Sequence, residues 1–360
     1  MDTRIISKGK SLAVGILGGT GYGAAELLRL LSSHRYAELI SISSSSHPGE
    51  NIRSCHPHLG DLYPLTFESE LDIDALASHD RAVVFSALPH GVAAAEIQKL
   101  YPKLEHIRLI DLSGDFRLEE PSLHDKHYPN SKRDESLRAN FVYGLPEFNR
   151  EDIRGAKLVA NPGCFATVSS LSLLPLAKAG LINSAIIDAK TGTSGAGRKP
   201  SIVTHHPLQN SNLLAYKILS HRHEAEIAQL LEKALPEGKS ALSTAFVPHL
   251  LPISRGIFTT SYCTLVEERS EKELYELYET YYDGAPFVRL RKAEEGVQIR
   301  NVVASNFCDM SLSLRGRQVV VTAAIDNLLK GMAGQAIQNM NLVFDLPQEE
   351  GLGAQALGVN

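Results

Sequence analysis

Residues 13–31 read AVGILGGTGYGAAELLRLL, an apolar strand-like run, a glycine-rich turn and an apolar helical run. Glycines permit a tight turn and a close approach to a pyrophosphate, and the following helix start supplies oriented N–H donors. The spacing departs from strict G-x-G-x-x-G, but strand-like and helical runs keep alternating through the first half, which is typical of βαβ units. We therefore predict a dinucleotide site here rather than a purely structural turn. Its predicted cofactor-binding residues are Gly18, Thr20, Gly21, Tyr22 and Gly23.

The end of the second strand-like run favours one cofactor over another. An NAD site usually offers an Asp or Glu there to the ribose 2′-hydroxyl, whereas this run ends in Ser43, Ser44 and two further serines. Neutral hydroxyls with a nearby histidine or Arg53 suit a 2′-phosphate, which predicts NADP(H) rather than NAD(H). A solvated serine-rich loop is the alternative interpretation. A later loop at 86–91 follows another strand and places Pro89 where a cofactor would pass along the sheet edge.

Length and composition predict a two-domain globular protein with small-molecule partners. The 360 residues suit two domains of roughly 100 to 200 residues each. A formal charge of −5 without long like-charge runs argues against binding to nucleic acid or to a membrane surface. No apolar run approaches the roughly 20 residues that span a bilayer, and no signal peptide is recognisable. Four scattered cysteines without a C-x-x-C pair indicate a reduced, cytoplasmic protein.

The second half of the chain predicts a different kind of domain. Its runs are mostly strand-like, with a tyrosine-rich helix at 271–282, which indicates an α+β domain with a mixed or antiparallel sheet. A final helix at 328–344 is expected to pack back on the first domain. The predicted fold class is therefore α/β, with a Rossmann-type NADP-binding domain at 1–163 and 326–360. An α+β domain with a mixed sheet is expected at 164–325.

Cys164 closes the motif NPGC, between a strand-like run and an apolar helix. At a helix start, unpaired N–H groups and the helix dipole stabilise a thiolate, which lowers a thiol pKa from roughly 8.5. Cys263 and Cys308 stand in strand-like runs and are interpreted as small core residues. Cys55 lies beside His56 and another histidine, but so compact a group makes a poor tetrahedral cage. We predict a nucleophile at Cys164 and no metal site.

A thiolate nucleophile needs a group that moves protons. His221 and His223 begin a polar helix, with Glu226 close enough to orient one of them, and the sequence does not choose between the two. Two glycine-rich loops, at 111–117 and 191–198, each offer backbone donors and one arginine to anionic groups. The predicted substrate-binding residues are Ser113, Arg117, Arg198 and Glu226. Together these parts predict reduction of an acyl group through a thioester, or the reverse oxidation of an aldehyde.

Further motifs follow one another along nearly the whole chain. They are GGTGYGAAELLRLL (18–31), HPHLG (56–60), ALPHG (87–91), DLSGDFRL (111–118), NPGCFAT (161–167), TSGAGR (193–198), HRHEAEI (221–227) and DNLLKGMAGQAIQNMN (326–341). With these motifs the chain resembles the N-acetyl-γ-glutamyl-phosphate reductases, a family of arginine biosynthesis related to the aspartate-semialdehyde dehydrogenases. The resemblance implies an NADP-binding Rossmann domain completed by the C-terminal helix. It also implies a central α+β domain for catalysis and for subunit contacts in a homodimer or homotetramer.

The resemblance also implies roles for single residues. Cys164 matches the family's nucleophile, the HRH histidines match its acid/base region, and Arg117 is similar to an arginine that binds the phosphoryl group in neighbouring families. Loops similar to those that flank the nicotinamide and the substrate add cofactor-binding residues. These are Ser194, Gly195, Gly197 and Asn327. The chain departs from the family where Phe165 and Ala166 replace the common Tyr and Pro.

The activity that the resemblance implies is NADPH-dependent reduction of N-acetyl-γ-glutamyl phosphate to the semialdehyde, with release of inorganic phosphate. The segments 204–207 and 216–217 are similar to a sister enzyme that reduces aminoadipyl phosphate on a carrier protein, whereas Arg198 favours the glutamyl substrate. Aspartyl phosphate is a further alternative. From another functional class, a non-catalytic NADP-binding sensor would keep the first domain without the thiol chemistry.

Overall fold

The computed structural model describes residues 10–239, 241–353 and 356. Contacts divide the described chain into two compact units: residues up to Pro162 together with Met332–Gly353, and Gly163–Gly331. The sequence predicts that the first domain resumes at residue 326, a few residues before Met332, where the first unit resumes in the structure. Asp326 forms an ion pair with Arg255 at 3.0 Å, which holds this segment in the second unit.

The first unit contains a six-stranded sheet in which neighbouring strands are parallel. Its strands are β1 (Leu12–Leu17), β2 (Ala37–Ser43), β3 (Ala82–Ser86), β4 (Arg108–Asp111), β5 (Phe141–Tyr143) and β6 (Leu158–Ala160). Its helices are α1 (Tyr22–Ser32), α2 (Ile52–Cys55), α3 (Ile73–Ala77), α4 (Val92–Leu100), α5 (Pro121–His127), α6 (Glu135–Arg138) and α7 (Pro146–Ile153). The spatial order β2-β1-β3-β4-β6-β5 puts β2 and β3 on opposite sides of β1. The carboxyl ends of β1 and β3 therefore form the switch point at which open α/β sheets bind ligands.

The inner strands of this sheet are buried on both faces. All five residues of β3 and the first five of β1 are buried, which is why their sequences are apolar runs rather than alternating patterns. This arrangement confirms the predicted α/β class with a parallel sheet.

The second unit contains a seven-stranded mixed sheet, as predicted. Its strands are β7 (Ile182–Thr191), β8 (Leu214–Ala215), β9 (Ser243–Leu250), β10 (Ile257–Leu265), β11 (Val288–Leu290), β12 (Cys308–Arg315) and β13 (Gln318–Ile325). Its helices are α8 (Cys164–Lys178), α9 (His206–Gln209), α10 (Arg222–Ala234) and α11 (Glu271–Tyr281). The strand order is β11-β12-β13-β10-β7-β9-β8, with parallel pairs β11–β12 and β7–β9 among antiparallel ones. Alternate residues of β10 are buried because α8 packs against it from one side.

The last helix of the chain belongs to the first unit. A π-helical turn at Leu329–Ala333 leads into α12 (Gly334–Val343), and every residue of α12 is buried. The side-chain amide nitrogens of Gln335 and Asn339 donate to the carbonyl oxygen of Gly144 at 3.0 and 2.9 Å, which satisfies that buried carbonyl and both nitrogens. No helix in the described part of the chain is long and apolar enough to cross a membrane.

Candidate active site

Cys164 is the first residue of α8, a helix of 15 residues whose N-cap is Gly163. The four cysteines are all free thiols, and Cys164 alone among them is not buried. Burial raises the pKa of Cys263 to about 12, so that thiol stays protonated at neutral pH. Cys164 therefore combines partial exposure with a helix start, the setting in which a thiolate is stabilised.

The two predicted histidines lie together at the start of α10. His221 is the N-cap, and its Nδ1 accepts a 3.1 Å hydrogen bond from the backbone N–H of His223. Their ring centroids are 4.7 Å apart, and the ring of Phe165 meets them at 5.5 and 6.1 Å. Because Phe165 directly follows Cys164, this packing brings the histidine pair to the turn that holds Cys164.

Glu226 links that turn to one of the histidines. Its side chain is fully buried, and its Oε2 accepts a 3.0 Å hydrogen bond from the N–H of Gly163. Its Oε1 lies 3.8 Å from Nε2 of His223. A Cβ on Gly163 would lie 2.4 Å from the same Nε2, so the imidazole packs directly on the Gly163 backbone. The carboxylate of Glu226 thus contacts both Gly163, the residue before Cys164, and the imidazole of His223.

A further residue near the thiol is Tyr216, which precedes the histidines by a few positions. Its ring lies 5.8 Å from that of His221. Burial raises the pKa of Tyr216 well above its usual range, and the charge of the neighbouring Cys164 thiolate adds to this effect. Tyr216 therefore keeps its proton and stays a hydrogen-bond donor near Cys164.

Asn327 organises the predicted loop at 193–198. Its Oδ1 accepts a 2.7 Å hydrogen bond from the N–H of Gly256, which leaves its Nδ2 to donate to the hydroxyl of Ser194 at 2.9 Å. A Cβ on Gly195 would lie 3.8 Å from the same Nδ2. Gly197 adopts a φ of +84°, which only glycine tolerates easily, and Arg198 beyond it is exposed. The predicted contacts of these loop residues with the cofactor and substrate stay predictions.

The glycine-rich turn of the first unit fits a dinucleotide. The N–H groups of Gly18 and Gly19 donate to the carbonyl of Ser43 at 3.2 and 2.8 Å, so the serine-rich strand end lies beside the turn. α1 begins at Tyr22 with no side-chain cap and no acidic residue in its first turn, which leaves the helix start open to an anion. A Cβ on Gly21 would meet open space, as a cradle for a ligand requires.

The predicted loop at 86–91 packs against this turn. A Cβ on Gly18 would lie 2.8 Å from the side chain of Leu88, the residue before Pro89. Ser44 is buried at the end of β2, with its hydroxyl 3.2 Å from that of Ser46. Arg53, considered for the 2′-phosphate, points to solvent and pairs with Asp61 at 2.9 Å. The predicted contacts of the strand-end hydroxyls with the cofactor stay predictions.

The two predicted substrate-binding residues of the first unit are buried. Arg117 donates from Nε to the carbonyl of Asn161 at 2.7 Å and from Nη2 to that of Leu112 at 2.8 Å. The hydroxyl of Ser113 donates to Asp111 at 2.6 Å. Burial raises the pKa of Asp111 to about 6, against the opposing effect of these hydrogen bonds. The structure thus places Arg117 against the backbone of Asn161, the first residue of NPGC, and its contact with phosphate stays a prediction.

Two contributors were missed by sequence reasoning. Gly331 lies against Cys164, because a Cβ on it would be 2.6 Å from that of Cys164. His56, considered only for a metal, donates instead to the carbonyl of Gly19 at 2.7 Å. In the described part of the chain, no group of three or more metal-ligating side chains comes together. Gly331 lies in the motif DNLLKG and His56 in HPHLG. Their place in these motifs was the sequence signal that could have identified them.

Known proteins resemble this chain over most of its length. Residues 13–156 match the family model of the semialdehyde dehydrogenase NAD binding domain, and residues 164–327 match that of the semialdehyde dehydrogenase dimerisation domain. An N-acetyl-gamma-glutamyl-phosphate reductase from Brevibacillus brevis is 42% identical over 94% of this chain and 97% of its own. One from Symbiobacterium thermophilum is 43% identical over 95% of this chain and 97% of its own.

Solved structures show the same fold at low sequence identity. Aspartate semialdehyde dehydrogenase from Francisella tularensis has a TM-score of 0.67 at 17% identity, covering 92% of this chain and 100% of that one. The enzyme from Candida albicans, solved with NADP, has a TM-score of 0.64 at 14% identity, covering 93% and 99%.

Proposed function

The chain belongs to the N-acetyl-γ-glutamyl-phosphate reductases of the semialdehyde dehydrogenase family, and on this basis we propose that Cys164 is its nucleophile. The protein is an NADP-dependent oxidoreductase of arginine biosynthesis that reduces N-acetyl-γ-glutamyl phosphate to the semialdehyde. The relatives favour this substrate over aminoadipyl or aspartyl phosphate, and an enzyme over a sensor. One observation carries the catalytic assignment: Cys164 is the only thiol of the four that is not buried, and it begins a long helix.

The proposed reaction starts at the sulfur. The Cys164 thiolate attacks the acyl carbon, the bond from that carbon to the phosphate oxygen breaks, and a thioester forms. When bound, NADPH supplies the hydride that reduces the thioester carbon. The tetrahedral oxyanion then collapses, the carbon–sulfur bond breaks, and the semialdehyde leaves with the thiolate restored. The N–H groups at the start of α8 are oriented to stabilise such an oxyanion.

We assign the proton transfer to His223 rather than to His221. The Nδ1 of His221 is occupied by the helix-capping hydrogen bond, whereas His223 packs on Gly163 with Glu226 at its Nε2. His223 takes the proton of the Cys164 thiol and gives it to the leaving phosphate oxygen. Glu226 acts as a positioning residue, because its carboxylate lies 3.8 Å from the imidazole Nε2 and orients the ring.

The reverse reaction tests this function. With N-acetylglutamate semialdehyde and NADP⁺, we expect NADP⁺ reduction that depends strictly on inorganic phosphate. The kcat/KM should exceed those for the aspartate and aminoadipate semialdehydes by at least about tenfold each, since one methylene is worth roughly that much in a fitted pocket. Equal kcat/KM values for the three aldehydes, or turnover without phosphate, would contradict the proposal.

We propose homo-oligomers built through the second unit, which matches a dimerisation domain. Half of the large exposed apolar residues of the described chain lie in one segment of this unit, between β7 and α10. They are Ile202, Val203, Leu208, Leu213, Ile218 and Leu219. Exposed apolar clusters of this kind mark interaction sites. The segment is continuous with the sheet, because its short strand β8 pairs with β9 at the sheet edge.

The charge of this segment favours a second copy of the chain as the partner. Residues 189–223 contain five Lys and Arg and no Asp or Glu, whereas the whole chain carries a formal charge of −5. The remaining surface is therefore acidic and complementary to the segment. A homodimer or homotetramer in the cytoplasm is the state we propose.

Polar substitutions in this segment should reduce the oligomer. We expect Leu208→Ser combined with Leu213→Ser to halve the molar mass measured by light scattering, because both exposed side chains would lose an apolar contact. Leu62→Ser is the matched control, since Leu62 is 58% exposed in the first unit. An unchanged mass for the double variant would rule out this surface as the subunit contact.

A further inference from the structure

His56 is a buried side chain in contact with the glycine-rich turn, and neither the thiol chemistry nor the predicted cofactor contacts use it. It is 2% exposed, and its Nε2 donates a 2.7 Å hydrogen bond to the carbonyl oxygen of Gly19. Its ring meets Phe67 edge-on, with centroids 6.5 Å apart. A Cβ on Gly19 would lie 2.7 Å from the ring of that same Phe67. These contacts show close packing among Gly19, His56 and Phe67. The packing fixes the orientation of the His56 imidazole.

The hydrogen bond from His56 fixes the peptide plane between Gly19 and Thr20. In a trans peptide the carbonyl and the N–H point in opposite directions, so holding the carbonyl toward His56 keeps the N–H of Thr20 on the other side. The N–H groups of Gly18 and Gly19 are already committed to the carbonyl of Ser43. If the plane flipped, the turn would direct a carbonyl oxygen toward a bound phosphate and repel it.

We propose that His56 is a positioning residue for NADP(H): its Nε2–H holds the Gly19 carbonyl away from the pyrophosphate, so that this acceptor does not face the phosphate oxygens. The inference rests on the proposed NADP site at this turn. It concerns cofactor affinity and not the thiol chemistry, because His56 belongs to the first unit and Cys164 to the second.

Direct binding measurements distinguish the effect of losing the hydrogen-bond donor of His56 from the effect of changing the size of its side chain. His56→Phe keeps a ring of similar size but removes the donor, and we expect the Kd for NADPH, measured by fluorescence titration, to rise about tenfold. The KM for NADPH should rise in parallel, while kcat at saturating NADPH stays within about twofold of wild type. His58→Phe is the matched control, because His58 is exposed two positions away and should leave the Kd unchanged.

Two amide variants keep the test decisive if His56→Phe does not fold. The amide nitrogen of glutamine can reach the position of Nε2, whereas that of asparagine reaches only the position of Nδ1. We expect His56→Gln to bind NADPH within about threefold of wild type and His56→Asn to bind about tenfold more weakly. Equal affinities for these two variants, or a wild-type Kd in folded His56→Phe, would overturn the role of His56. Absence of NADPH binding by the wild type would instead overturn the proposed cofactor site.

Discussion

Cys164→Ser should lower kcat for phosphate-dependent oxidation of N-acetylglutamate semialdehyde by about a thousandfold or more. Serine fits the same space at the start of α8, so the fold and the Kd for NADPH should not change. The loss arises because a hydroxyl ionises far less readily than a thiol at neutral pH, and a helix start cannot make up that difference. Steady-state kinetics and a fluorescence titration of NADPH on the same preparation measure both quantities.

Thiol labelling is the control that identifies the reacting sulfur. The wild type should react rapidly with iodoacetamide at one thiol, and the acyl phosphate should protect it. Cys263 should react slowly, because its thiol is buried and its pKa is raised to about 12. The fast phase should vanish in Cys164→Ser. Near-normal turnover by this variant, or a fast phase that survives in it, would exclude Cys164 as the nucleophile.

The class of fold and the position of Cys164 at a helix start were both predictable because they depend on local patterns. Apolar runs such as β3 are buried on both faces, so periodicity alone indicated a parallel sheet. NPGC lies between a strand and a helix, so Cys164 at the helix start followed from the order of elements. Neither inference required knowing which distant residues touch.

Close approaches between distant segments could not be predicted in this way. The contact of Gly331 with Cys164 joins residues far apart in the chain, and a glycine carries no side chain that would suggest it. The expected continuous helix at 328–344 instead begins with a π-helical turn, in which the N–H of Gly331 donates to the carbonyl of Asp326. The carboxylate of Asp326 also accepts from the N–H groups of Leu328 and Leu329. Helical periodicity does not reveal that a side-chain carboxylate accepts the backbone hydrogen bonds at the start of this helix.

The burial of the Arg117 side chain could not be predicted from the sequence either. A sequence with an arginine in a glycine-rich loop suggests an exposed anion site, yet this guanidinium donates to two backbone carbonyls. Whether this arginine is exposed or buried depends on how the loop packs against the segment around Asn161. The local sequence does not show that packing.

Gly163→Ala should lower kcat about a hundredfold while leaving the protein folded. Gly163 has φ −72° and ψ 147°, which alanine adopts without strain, so the effect is on its neighbour and not on the backbone. The added Cβ would lie 2.4 Å from Nε2 of His223, a separation no real contact allows, so the imidazole must move away from the nucleophile turn. Losing a positioned general acid/base typically costs a factor of 100 to 10,000, or roughly 3 to 5 kcal/mol in the barrier.

A double-mutant cycle shows whether this loss acts through the imidazole. If Gly163→Ala works by displacing His223, adding it to His223→Asn should cost little more than His223→Asn alone, because the same interaction cannot be removed twice. His221→Asn provides the comparison, and the two losses should then multiply. Gly353→Ala is the control for a glycine whose Cβ would meet nothing within 4 Å, and it should leave kcat unchanged. Multiplying losses for Gly163→Ala and His223→Asn would instead place the effect of Gly163→Ala on the hydrogen bond from the Gly163 N–H to Glu226, and a wild-type kcat in His223→Asn would exclude His223 as the proton carrier.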